Sequence, residues 1–165
     1  MADDRNHAAS LHRQAGMLGA VCCDRKERGM PNEIIVRVDG WPPAKDGTDS
    51  IFNPRHRRHP LVRDLLSTAG DAIANSGWRR VESPVAVGLE LVVSGRAALV
   101  GGADPANYIG GVCDVLQAKR RNVKPSWLGE LAGHALYEDD SQVREIHYRE
   151  DTSAPGGYHV RIWTL

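Results

Sequence analysis

A chain of 165 residues has room for one domain of ordinary size. Its 41% hydrophobic and 25% charged residues describe a globular protein, not a disordered or fibrous one. Lys plus Arg and Asp plus Glu number 21 each, which excludes a basic field over the whole surface and leaves nucleic-acid contact to a local patch.

Residues 1–31 show scattered charge and no sustained periodicity, which predicts a mobile arm ahead of a domain at 32–165. Met30, just before the first good strand, is an alternative start. The apolar run Gly16–Cys23 is far short of the ~20 residues that cross a bilayer and has no convincing cleavage pattern, so neither membrane nor secretion is expected. Cys22, Cys23 and Cys113 form neither a disulfide framework nor a C-x-x-C knuckle, and the chain is expected in the cytoplasm.

Ile34–Val38 is β-branched and reads as the first strand. Trp41-Pro42-Pro43 takes the chain out of the sheet, because proline cannot donate to a ladder. Pro60 suits a helix first turn, and Leu61, Leu65, Leu66, Ala69 and Ile73 continue at helical spacing to Gly77. Val85–Val93 alternates as a strand with one face on a core and one exposed. Asp104 then fits an N-cap and Pro105 the first position of a helix reaching about Lys119. After a connection at 120–133 and a short strand or turn at Ala135–Tyr137, Gln142–Arg149 and Tyr158–Trp163 flank Pro155-Gly156-Gly157 as a closing hairpin. The order β-α-β-α-β-β implies an α+β fold, a small mixed sheet with two main helices packed on it.

Two acidic places stand apart. Asp104 and Asn107 share a helix face, and Asp139-Asp140 precede a strand. Magnesium takes hard oxygen ligands from a few carboxylates, waters and phosphates, and carboxylates from these two places can converge at one sheet edge. Asp114 lies about 15 Å further along the helix, too far to join an ion at Asp104. Only one of Asp139 and Asp140 faces such an ion if the backbone is extended. Asp before Pro ordinarily caps a helix, and Asp-Asp before a strand ordinarily makes a turn; spacing alone does not set those roles aside.

The order of these pieces resembles the RusA family of crossover junction endodeoxyribonucleases. Trp41-Pro42-Pro43 follows the first strand as the family's Pro-Pro does, and Asp104-Pro105-Ala106-Asn107 stands at its Asp-x-Asp-Asn. Asp114-Val115-Leu116 corresponds to Asp-Ala-Leu, and Asp139-Asp140-Ser141-Gln142-Val143 to Asp-Asp-x-Gln-Val. The resemblance covers Ile34 to Leu165. It implies a Mg²⁺-dependent nuclease (Mn²⁺ as substitute) that resolves four-way DNA junctions as a homodimer. In that reading Asp104 and Asp140 are catalytic and bind the metal, with Asn107 and Asp139 beside them. Two positions depart from the pattern: Ala106 stands at the second Asp and Gly110 at the helix lysine. The site is therefore either rebuilt from other groups or reduced to a silent branched-DNA-binding module. Lys119, Arg120, Arg121 and Lys124 are the expected replacements for the missing cation.

Arg55-His56-Arg57-Arg58-His59 is a basic cluster suited to phosphate contacts, and Arg55, Arg57 and Arg58 are the expected DNA ligands beside that long connection. No second ligand pair supports a transition metal at His56 and His59. Gly110-Gly111 inside a helix predicts close packing, Cys113 a core thiol, and Trp127 a residue to test for junction contact. Hydrolase-elbow, P-loop and zincin motifs are absent from the sequence.

Overall fold

The β-branched run after Pro31 forms strand β1, Glu33–Val38, with Ile34, Val36 and Val38 turned inward. A computed structural model describes residues 31–45, 50–95, 103–118 and 125–165. The proposed N-terminal arm up to residue 30 and the cations Lys119, Arg120, Arg121 and Lys124 lie outside the described residues.

Helix α1 runs His59–Ser76 with Pro60 in its first turn. Val62, Leu65, Leu66 and Ala69 are its buried stripe. Gly77 ends it at φ 74°, a left-handed value that glycine adopts without a Cβ penalty, and its N–H donates to the Ile73 carbonyl. Helix α2 runs Pro105–Leu116 and stops at Gln117, short of the expected Lys119. Tyr108, Val112, Cys113, Val115 and Leu116 bury its inner face, so Cys113 is the core thiol its surroundings predict. Short 3-10 segments cover Ser126–Gly133 and Asp140–Gln142.

The sheet holds β1, β2 (Val87–Ser94), β3 (Val143–Asp151) and β4 (Gly157–Thr164) in the order β1-β4-β2-β3. This corrects the expected closing hairpin. β3 and β4 do not pair: β3 runs parallel to β2, and β4 lies antiparallel between β1 and β2. The five residues between β3 and β4 pass round the end of β2, where Gly95 (φ 67°) leaves room for Gly156 and donates its N–H to the Asp151 carbonyl at 2.8 Å. Composition explains the choice. β2 buries Val87, Leu89, Leu91, Val92 and Val93, against the expectation of one exposed face, and such a strand needs a neighbour on each side. β3 is exposed along most of its length and charged, which suits an edge.

The result is a mixed four-stranded sheet with helices on one face, the α+β architecture expected. The core joins the inner faces of the strands to α1 and α2. No described helix is long and apolar enough to cross a membrane.

Candidate functional site

Pro42-Pro43 leaves the sheet and lies on α2 at its glycine pair. A Cβ on Gly111 would run into the Pro43 carbonyl and the Ala44 Cα, so glycine is required there for backbone to meet backbone. The close approach continues at Lys45, whose backbone N–H donates to the Asn107 carbonyl at 3.0 Å. The Lys45 side chain then lies along the helix over Gly110, where an added Cβ would sit 3.1 Å from its Cδ. Its ammonium ends on Asp114, Nζ to Oδ2 2.9 Å. A lysine from a different segment thus occupies the space over the glycine that stands where a helix lysine was expected. Sequence reasoning assigned that role to the distant connection instead; the signal available was the Gly-Gly pair together with the Pro-Pro segment.

Asp104 is the N-cap of α2, as predicted. Its Oδ1 accepts the Asn107 N–H at 2.9 Å and its Oδ2 accepts the Asn107 side-chain amide at 3.1 Å. Ala106 is exposed in the first turn and offers no ligand. At the other end of α2, Gln117 donates to Asp114 Oδ1 at 3.4 Å and accepts the backbone N–H of Asp140 at 3.3 Å. Asp104 and Gln117 stand about 20 Å apart along the helix axis, from 1.5 Å of rise per residue. The acid held beside Asp140 through Gln117 is therefore Asp114, the residue that distance from Asp104 had set aside.

Electrostatics place the same groups together. Burial pushes the Cys113 thiol up; the hydroxyl hydrogen bond from Tyr137 opposes this, Asp140 and Asp114 add to it, and Lys45 opposes it. The Tyr137 hydroxyl is raised first by burial, then by Cys113, and by the same two carboxylates; it donates to the Cys113 carbonyl at 3.0 Å.

Asp139 and Asp140 have different work. Asp139 caps the 3-10 turn, accepting the Ser141 N–H at 3.0 Å. Gln142, only 5% exposed, accepts the N–H groups of Glu138 (2.8 Å) and Asp139 (2.9 Å) and donates to the Val85 carbonyl at 2.8 Å. This glutamine fixes the backbone on which the exposed Asp140 side chain stands. Its part in the site was not foreseen from spacing.

The basic loop is docked rather than loose. Trp127 donates from Nε1 to the Phe52 carbonyl at 2.9 Å, and its ring meets that of His59 at 4.0 Å between centroids. Arg55 and Arg57 are exposed, and Arg58 is half-buried with its backbone N–H on His56 Nδ1.

Among the described residues no group of three or more His, Cys, Asp or Glu side chains is gathered as a metal cage. The donors at the Gln117 end are nevertheless hard carboxylate oxygens, and magnesium is held elsewhere by one or two carboxylates completed with water and substrate phosphate. The chemistry of this donor set fits that ion. No protein-family model matches the chain, and no curated protein matches it.

Proposed function

We propose that this protein is a Mg²⁺-dependent endodeoxyribonuclease acting on four-way DNA junctions, as the resemblance of its motifs to the RusA family suggests. The observation that carries the reading is the gathering at one end of α2 of Asp114 from the helix, the ammonium of Lys45 on it, and Asp140 from the 3-10 turn, joined through Gln117. In this reading Asp140 and Asp114 would hold the ion, and the chemistry it would supply there is polarisation of the scissile phosphate and a lowered pKa for a water. Lys45 turns from Asp114 to the phosphate oxygens and stabilises the charge that develops there. Gln117 and Gln142 position the Asp140 backbone. Arg55 and Arg57 contact the DNA backbone, and a homodimer cuts opposed strands of the two-fold junction.

The test is single-turnover cleavage of a labelled four-way junction. Asp140→Asn and Asp114→Asn are expected to abolish Mg²⁺- and Mn²⁺-dependent nicking, while Asp104→Asn retains most of it. Loss of nicking in a folded Asp104→Asn variant, with Asp114→Asn active, would return the ion to the Asp104–Asp140 pair.

One observation favours a second reading, a branched-DNA-binding protein without catalysis: both Asp104 oxygens are committed to Asn107, and the next acidic position of the motif is Ala106. Tight junction binding with no nicking at any Mg²⁺ or Mn²⁺ concentration would decide for it.

A further inference from the structure

No described helix covers the outer face of the sheet, and its strand registers set side chains in straight rows. Arg37 of β1 pairs with His159 of β4, His159 with Val92 of β2, and Val92 with Arg149 of β3. These side chains share a face, because residues paired directly across neighbouring strands point to the same side of the sheet. Arg37 and Arg149 therefore flank His159 on a line about 14 Å long, three inter-strand spacings of ~4.8 Å.

The rows toward Glu33 are charge-compensated. On the other side Asp151 of β3, its carboxyl held low by hydrogen bonds from Ser153 and in smaller measure by Arg149, shares the face of that arginine, so the row is balanced in part at its β3 end and unbalanced at Arg37. Arg161 is bound to Glu33 (2.6 Å) and faces Glu90 at 3.9 Å, and His147 is bound to Glu145 at 2.6 Å. Neither Arg37 nor Arg149 has an ion pair among the described residues, and both are exposed. The line carries a positive potential that His159 registers: burial first, then Arg37, and in smaller measure Arg149, hold its imidazole below its ordinary range, with Glu90 opposing.

We infer that the row Arg37–His159–Arg149 is a second DNA contact, a track for the phosphates of one strand on the sheet face opposite the helices. The inference rests on the proposed function only in taking DNA as the polyanion. The shape of the patch selects a strand over a flat anionic surface. Glu33, Glu90 and Glu145 lie within the next two rows on one side and Asp151 in the next row on the other, and would repel a plane of headgroups, whereas a phosphate chain that follows the row runs between them.

The test is the salt dependence of binding to a fluorescein-labelled four-way junction, measured without divalent metal for the wild type, Arg37→Glu/Arg149→Glu and Arg37→Lys/Arg149→Lys. The glutamate pair is expected to weaken binding at least about ten-fold near 0.1 M salt and to lower the slope of log K against log salt by about two, one per lost phosphate contact. The lysine pair keeps the wild-type slope. Unchanged affinity and slope in the glutamate pair would overturn the inference, as would equal loss in the lysine pair or wild-type binding confined to anionic vesicles. Wild-type nicking separates this from the nuclease reading. Its absence at any Mg²⁺ or Mn²⁺ concentration sinks that reading, while the slope change of the glutamate pair still upholds the track.

Discussion

Under the proposed function Lys45 takes the role that the RusA pattern gives to a helix lysine. Its side chain is 53% exposed and pairs with an Asp114 side chain that is 20% exposed, so the ion pair itself contributes little to stability, about 0–1 kcal/mol. Lys45→Ala is therefore expected to leave the melting temperature nearly unchanged while slowing single-turnover cleavage by about 10²-fold, the usual effect of removing one donor from a developing oxyanion. Equal rates for the variant and the wild type would remove Lys45 from the chemistry. Gln142 behaves in the opposite way. Its side chain is buried and satisfies backbone groups of both the 138–139 segment and Val85, so Gln142→Leu strands those groups. A loss of about 2–4 kcal/mol is expected, read as a lower urea midpoint, and the folded fraction is expected to cleave more slowly as well, because the backbone under Asp140 loses its support.

At the scale of elements, α2 is defined by its cap and by its glycines. Asp104→Ala removes the acceptor of the Asn107 N–H and is expected to cost about 1 kcal/mol. Gly111→Ala drives a methyl group into backbone that cannot rotate away, since Pro43 is held by its ring, and is expected to destabilise by about 1–3 kcal/mol. Gly110→Ala meets only the flexible Lys45 stem and should be milder in stability. Calorimetric melts of the three variants check that order. The helices were legible from period and caps because those signals are local: Pro60, Gly77 and Asp104-Pro105 act within one turn. The strand order was not. A glycine-rich turn between two strands reads as a hairpin, yet the apolar β2 competes for the central place and draws β3 and β4 to its two sides.

Across the whole molecule, charge is divided between two faces of one sheet. The helical side carries Asp114, Asp140 and Lys45 at the end of α2; the open side carries the row through His159. Because the folded state holds His159 below its ordinary 6.5, the unfolded chain binds its proton more readily. Stability on this account rises with pH through the interval between the folded value and about 6.5, and falls as pH drops through it. His159→Gln is expected to flatten the pH dependence of the urea midpoint below about pH 6.5, and an unaltered profile would show that the folded state does not hold His159 down.

The chain alone determined the fold class, both helices with their caps, and the cores of β1 to β4 as strands. These follow from short-range rules of propensity, periodicity and capping, which any stretch of about ten residues states for itself. Tertiary structure alone decided that β4 runs between β1 and β2, that Asp114 stands beside Asp140, and that Lys45 fills the space over Gly110. Each depends on which segments, remote in sequence, compete for the same buried surface, and that competition is settled only when all of them are packed at once.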